Sequence, residues 1–309
     1  MLMKSVEQNG VNKDVAGYCN DYQVLINYWI AMGWFNEAFP GDGPHLGMHY
    51  GYYPKDSQGI YNPLTPVQAV IEMNRQLMRR VGWEEDSDQA DKLVLDAGSG
   101  IGGTAKYIAT HHGARVEGIT LSPVQIKIAN FLAKRYGFSQ KANFSLQDYN
   151  HTKFPNDHFD VYHASETLNY AVDKKDPLKE AMRTLKPGGR IVVGDGFLGR
   201  DPYNDGEKTI YKRWLDSWRI PNLARPGEFR NLMQEVGFEE ITMDNVTENI
   251  WPFSEYLRDK AESLSLPIKV INVLKGRPIS ELPGGALQWP IIENGIGVYY
   301  LFSATKPIK

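Results

Sequence analysis

Leu93-Val94-Leu95-Asp96-Ala97-Gly98-Ser99-Gly100-Ile101-Gly102-Gly103-Thr104 is the stretch from which the rest of the chain is read. Leu93 to Leu95 read as a buried strand. An acid follows, then a loop dense in glycine, then the start of a helical pattern. Gly98, Gly100 and Gly103 fit G-x-G-x-x-G, a spacing that lets backbone approach a nucleotide closely. The same spacing also builds a ligand-free β–α turn, and several kinds of nucleotide site share it. Asp96 narrows the choice, because a carboxylate two residues before the first glycine would face the pyrophosphate of a dinucleotide.

Beyond this stretch, strand and helix patterns alternate. Strands are expected over Lys92–Asp96, Ala114–Thr120, Ala142–Gln147, Phe159–Ala164 and Arg190–Asp195, with two more over Phe238–Val246 and Gly297–Ala304. Helices are expected over Gly102–His111, closed by Gly113, and over Pro123–Tyr136, with Ser122 as N-cap and Pro123 at the first helical position. Two more follow over Pro177–Leu185 and Pro226–Val236. The turn Lys186-Pro187-Gly188-Gly189 separates the third helix from the fifth strand. Such alternation implies a mainly parallel sheet covered on both faces. The last two strands, with no short helix between them, read as a hairpin-like edge pair. Residues 1–90 form a mostly helical N-terminal cap, and 91–309 form the core, with insertions at about 197–225 and 248–295 placed as lids.

Composition narrows the function classes. A net charge of −3 lacks the basic excess of a general nucleic-acid binder. No apolar run reaches the roughly 18 residues of a membrane span, so no stable membrane insertion is expected. The first ten residues carry no signal-peptide core, and a cytoplasmic location is the default expectation. The single cysteine, Cys19, excludes an internal disulfide and a cysteine metal cluster and reads as a small buried residue. His45, His49 and His163 lack metal-ligand spacing, and no metal site is expected. The 17 Tyr and 7 Trp suit a pocket walled with rings, or simply a filled core.

Asp96-x-Gly98-x-Gly100 resembles the first motif of class I S-adenosylmethionine-dependent methyltransferases, and the element order matches theirs. The resemblance implies an α/β, Rossmann-like fold with a seven-stranded mainly parallel sheet and S-adenosylmethionine as cofactor. Thr120-Leu121-Ser122 with Gln125 is similar to the T-L-S-x-x-Q segment of sterol- and lipid-type members, where the ribose and adenine are held. Gln147-Asp148-Tyr149 follows the third strand, where an acid usually meets the adenine amino group. The implied cofactor residues are thus Asp96, Gly98, Ser99, Gly100, Thr120, Leu121, Gln125, Gln147, Asp148, Tyr149 and Ala164, with Glu117 a weaker candidate.

Two further segments resemble C-methyltransferases of sterols, tocopherols and prenyl diphosphates. Leu46-Gly47-Met48-His49-Tyr50-Gly51-Tyr52-Tyr53 resembles the H-Y-G signature that precedes the core, and it also reads as a packed aromatic loop. Ala164-Ser165-Glu166-Thr167-Leu168-Asn169-Tyr170 keeps the acid and tyrosine of the geranyl diphosphate enzymes with altered spacing. The implied roles are Glu166 and Tyr50 at the reacting centre, with His49, Tyr53, Tyr170 and Trp218 around the substrate. Glu166 as a cap or an ion-pair partner is the other reading. An alkene that attacks a sulfonium methyl leaves a carbocation, which ring faces stabilise and a carboxylate deprotonates. The expected acceptor is an isoprenoid, first a geranyl or farnesyl diphosphate, with ring closure an open addition. A diphosphate would bring Mg²⁺ and need cations such as Lys212, Arg213 or Arg219. The alternatives are a sterol-like C-methyltransferase, an O- or N-methyltransferase of a secondary metabolite, a fold relative that cyclises without transferring, and a dehydrogenase. The aromatic cap leaves a homo-oligomer open.

Overall fold

The computed structural model describes residues 45–259 and 281–308. The expectations for most of the cap, Cys19 included, and for the middle of the second insertion lie outside the described residues.

Seven strands form one sheet: β1 (Leu93–Ala97), β2 (Arg115–Thr120), β3 (Ala142–Leu146), β4 (Phe159–Ser165), β5 (Leu185–Leu198), β6 (Glu239–Asn245) and β7 (Gly297–Thr305). Their order is β3-β2-β1-β4-β5-β7-β6. The first five are parallel, and β7 runs antiparallel to both β5 and β6. The described helices are α1 (Pro66–Arg80), α2 (Gly103–Tyr107), α3 (Pro123–Arg135), α4 (Lys175–Thr184), α5 (Asp205–Trp218), α6 (Pro226–Val236), α7 over 247–259 and α8 (Glu281–Glu293).

Strand alternation builds two cores, one on each face of the sheet. Val94, Val116, Val161, Val192 and Leu301 meet Met73, Leu77 and Met78 of α1. On the other face Leu95, Tyr162, Ile191, Val193 and Phe302 meet α4 and α6 through Leu178, Ala181, Phe229 and Met233. Each large side chain so buried contributes about 1.5–3 kcal/mol of transfer free energy. A satellite cluster joins α5 to α8, with Trp214, Leu223, Ile291 and Ile296 buried at its centre.

The last two strands pair antiparallel at one edge of the sheet, as expected. Within that pair β7 lies inside, against β5, and β6 is outermost. Their polarity explains the placement: most of β7 is buried, whereas β6 is exposed at every position but one. Two other details depart from the sequence reading. The Lys186-Pro187-Gly188-Gly189 stretch stays within β5 as a bulge. Phe159 pairs with Leu185 and Val161 already pairs with Arg190, and Gly188 adopts φ +76° inside the loop thrown out between them. The expected Gly102–His111 helix is an α-turn to Tyr107 that widens into a π-turn over Ile108–His112 before Gly113 stops it at φ +69°. Elsewhere the local signals hold. Ser122 caps α3 by accepting from the Gln125 amide at 3.1 Å, and α6 spans Pro226–Val236 with Gly237 at φ +106°.

Candidate active site

Carboxyl ends of parallel strands, where α/β proteins place their sites, open here into one cavity with two parts. The first is built by the β1 and β2 ends. After β1 the backbone folds back, and the amides of Gly98 and Ser99 both donate to the Ile119 carbonyl at 2.9 Å. Gly98 sits at φ +87° against the Thr167 side chain, so a Cβ there would fail on conformation and on space. Asp96 is 3% exposed; its Oδ1 lies 2.9 Å from His163 Nδ1, and its Oδ2 is buried with no hydrogen-bond partner among the described residues. Gly98, Ser99, Gly100, Thr120, Leu121, Gln125, Gln147 and Tyr149 line this part beside Asp96. Thr120 donates to Gln125 Oε1 at 2.6 Å, and the Tyr149 hydroxyl to the Thr167 carbonyl at 3.1 Å.

Two expected cofactor residues stand apart from this lining. Ala164 is wholly buried in β4, in the core of the sheet, and its neighbour Ser165 faces the cavity in its place, as strand alternation requires. Asp148 is not on the cavity wall: its Oδ1 accepts from the backbone and side-chain nitrogens of Asn150, at 2.9 and 3.0 Å. Its Oδ2 is buried with no hydrogen-bond partner among the described residues, and burial raises its pKa. Glu117 also lies off the wall and accepts from Asn143 Nδ2.

These residues fit S-adenosylmethionine. The unpaired Asp96 Oδ2 suits the cationic amino group, the glycine turn gives close backbone approach, and the Thr120–Gln125 pair suits the ribose hydroxyls. Asp96→Asn is accordingly expected to weaken S-adenosylmethionine about tenfold or more, since a charge-assisted bond is worth about 1.5–3 kcal/mol. 5′-Methylthioadenosine, which lacks the amino acid, serves as control in the same calorimetry. Equal loss for both ligands would mean that Asp96 only holds the loop.

The second part is a chamber beyond the β4, β5 and β7 ends. Phe197, Trp214, Trp218, Ile250, Phe253, Ile292, Val298 and Tyr299 line it, and Tyr170 and His49 stand on its wall. Tyr50 is ringed by Phe253 at 6.0 Å and Tyr299 at 5.4 Å, centroid to centroid. Among the described residues no lysine or arginine lines the cavity. Lys212 and Arg213 are exposed and flank Trp214, and the i, i+4 pair Trp214 and Trp218 turns the aromatic face of α5 inward. Tyr53, expected at the substrate, instead packs with Ala69, Val70 and Phe253, and its amide donates to the Asn249 carbonyl at 2.8 Å. It ties the cap segment to α7 rather than facing the chamber.

Glu166 follows β4 at φ +51°, an unusual backbone for a glutamate. Its Oε1 accepts from the Tyr50 amide at 2.6 Å and from the Tyr299 hydroxyl at 3.0 Å. Burial pushes its carboxyl up to about 8, against the pull of the Tyr50 amide; nearby Asp195 adds to the rise and the Tyr299 hydroxyl opposes it. His49 bridges the cap to α1, with Nδ1 3.0 Å from the Tyr50 carbonyl and Nε2 3.1 Å from Asn74 Oδ1, and burial lowers its pKa.

Sequence reading missed a second acid. Asp195, on β5, also faces the chamber, and burial pushes it up to about 7. It accepts from Asn169 Nδ2 at 2.5 Å and from the Gly196 amide at 3.0 Å. Lys174 sits behind, donating to the carbonyls of Asn169, Ala171 and Asn222, and burial brings it down to about 8. The signal for Asp195 was present: it ends the apolar run Ile191-Val192-Val193-Gly194, much as Asp96 ends Leu93-Val94-Leu95. Nothing local marks Tyr299.

A cofactor cleft that opens into an apolar chamber with a carboxyl at the junction, on a sheet of this order, is the architecture of the class I S-adenosylmethionine-dependent methyltransferase fold. Residues 95–193 match the sequence family described as "Methyltransferase domain", and the chain carries that domain. Tocopherol O-methyltransferase, chloroplastic, of Arabidopsis thaliana is 32% identical over 212 residues, 67% of this chain and 61% of that protein. The chain thus spans less than two thirds of that relative. Among solved structures, the (4+2)-cyclase SpnF shares the fold with TM-score 0.74 at 21% identity, over 97% of each chain. Geranyl diphosphate C-methyltransferase from Streptomyces coelicolor shares it with TM-score 0.65 at 21% identity, over 90% of this chain and 96% of that one. At such identity these two speak for the fold alone. Among the described residues no helix is long and apolar enough to cross a membrane.

Proposed function

We propose that the protein methylates an uncharged, largely apolar isoprenoid acceptor, with Glu166 as the base. The observation that carries this reading is the chamber itself: rings and aliphatic side chains form its wall, two carboxyls interrupt it, and no described cation faces it. A diphosphate is held by cations, so the prenyl diphosphate expected from sequence stands second to a neutral acceptor. The tocopherol methyltransferase relative supports the same class.

S-Adenosylmethionine, when bound, supplies an activated methyl group on a sulfonium. The rest of the chemistry belongs to the chain. Tyr50, Phe253 and Tyr299 present ring faces that stabilise positive charge on an acceptor carbon, most strongly where water is excluded. Glu166 Oε1 is held in place by the Tyr50 amide and the Tyr299 hydroxyl and takes the proton that the methylated acceptor gives up. The apolar walls orient the acceptor, which matters because the donor is already reactive.

The test is incubation with S-adenosylmethionine and a panel of a tocopherol, geraniol and geranyl diphosphate with Mg²⁺, read by mass spectrometry. One added methyl on a neutral isoprenoid supports the reading. Methylation of geranyl diphosphate alone would replace it with the diphosphate reading. A ring-closed product with no S-adenosylhomocysteine would move the protein out of methyl transfer altogether.

A further inference from the structure

The chamber carries hydrogen-bond donors that the chemistry at Glu166 does not use. Trp214 on α5 and Gln288 on α8 both line the cavity, and they are 8% and 3% exposed. Both the Trp214 indole nitrogen and the Gln288 amide nitrogen are closed to water, and among the described residues neither has a hydrogen-bond partner. An unpaired buried donor costs about 1–3 kcal/mol, so folded proteins rarely leave one without a reason. Here two of them occur on the wall of one chamber, on helices that pack against each other.

Sequence spacing shows how both come to face inward. On α5 the indoles of Trp214 and Trp218 lie four residues apart, on one stripe. On α8 Gln288, Ile291 and Ile292 share the side that lines the cavity. Gln288 therefore sits at a position whose helical neighbours are apolar, where leucine would satisfy the packing without a polar group. Both residues come from the insertions, whereas Glu166 and Asp195 come from the strand ends, so the donors belong to the part of the chain that shapes the acceptor site.

The chemistry of the pair is narrow. An indole N–H donates only, and the amide nitrogen offers two further donors. Neither is charged, and no described lysine or arginine lines the cavity. An anion brought to these groups would lose its hydration without a countercharge, whereas a neutral oxygen needs only one or two donors. We propose that Trp214 and Gln288 form a subsite for an uncharged oxygen of the acceptor, a hydroxyl, ether or carbonyl. The subsite rests on the reading of this chamber as the acceptor site and specifies it: the acceptor is an oxygen-bearing isoprenoid, not a bare hydrocarbon and not a diphosphate.

Binding tests this without any turnover. Protein saturated with S-adenosylhomocysteine is titrated by calorimetry with geraniol, with myrcene as the hydrocarbon of matching length, and with geranyl diphosphate. The wild-type protein is expected to bind geraniol about tenfold more tightly than myrcene, the worth of one or two buried hydrogen bonds. Trp214→Phe and Gln288→Leu keep the packing and remove the donors. Each is expected to lose about three- to tenfold for geraniol and to leave myrcene unchanged. An unchanged S-adenosylhomocysteine affinity shows that the variants are folded. Equal binding of the two probes by the wild type, equal losses for both in the variants, no binding of geraniol, or tighter binding of geranyl diphosphate than of geraniol would each overturn the subsite. A protein that transfers no methyl yet discriminates in this way would keep the subsite and lose the proposed reaction, so the two failures are separable.

Discussion

Replacing Glu166 by glutamine is expected to lower kcat by about 10²- to 10⁴-fold, the usual contribution of a positioned general base, and to leave S-adenosylmethionine binding intact. Glutamine keeps an oxygen for the Tyr50 amide and the Tyr299 hydroxyl, which now meet Glu166 Oε1 at 2.6 and 3.0 Å, so the local structure survives and only the proton acceptor is lost. The pH profile gives the same residue a second signature. Burial raises the carboxyl to about 8, and a base works only when ionised, so kcat/KM of the wild-type protein rises with pH and levels off above about 8. The Glu166→Gln protein lacks that rise. Stability moves the opposite way. A carboxyl whose folded pKa is raised holds its proton more tightly when folded, so its favourable contribution is complete below the ordinary carboxylate range and is lost as pH climbs towards 8. The wild-type Tm therefore falls between about pH 5 and 8 more steeply than that of Glu166→Gln, with Asp195 adding to the slope in both proteins. Turnover by the glutamine variant at the wild-type rate would remove Glu166 from the mechanism.

Glu166 was legible in the sequence because it depends on local pattern: an acid directly after an apolar strand that precedes a helix. The cofactor loop was legible for the same reason, since Asp96 and its glycines lie within a few residues of one another. What surrounds Glu166 was not. Its partner hydroxyl comes from Tyr299 on the last strand, 133 residues away, and arrives only because β7 inserts beside β5. That choice is made by burial across two distant strands, and no spacing rule carries it. Asp195 was visible as an acid at a strand end, but its meaning depends on the chamber that β7, α5 and α8 close around it. Tyr53 shows the converse error. Three residues after Tyr50 in an aromatic run it looks equivalent, yet the backbone bond from its amide to Asn249 turns that part of the cap onto α7, and the ring is spent on packing. Lys212 and Arg213 were candidates by charge alone, and the helical period that turns Trp214 inward turns them out.

Alanine in place of Gly103 tests the joint between cap and core, and here local propensity and packing predict opposite results. Gly103 opens α2 without a left-handed backbone, so by propensity alone alanine would stabilise the helix by up to about 1 kcal/mol. Packing opposes it. A Cβ at Gly103 would come closer than 3.0 Å to the backbone of Leu46 and Gly47, and backbone cannot rotate away as a side chain can. Overpacking of this kind costs about 1–3 kcal/mol and sometimes more, so the net expectation is a lower Tm. The displaced segment is the one that carries His49 to Asn74 and the Tyr50 amide to Glu166, which extends the damage to the base. Gly100→Ala is the control. Gly100 sits at φ +53° with open space where a Cβ would go, so alanine there costs roughly 1–2 kcal/mol of backbone strain and pushes on nothing in the cap. Thermal melting of the two variants, with turnover at fixed pH, separates the effects. Gly103→Ala is expected to melt lower than Gly100→Ala. It is also expected to lose turnover even at saturating S-adenosylmethionine, because Glu166 loses its amide partner. A Gly103→Ala protein that melts at or above the wild type would show that residues 46–47 do not lie on the glycine turn, and the link from cap to base would fall with it.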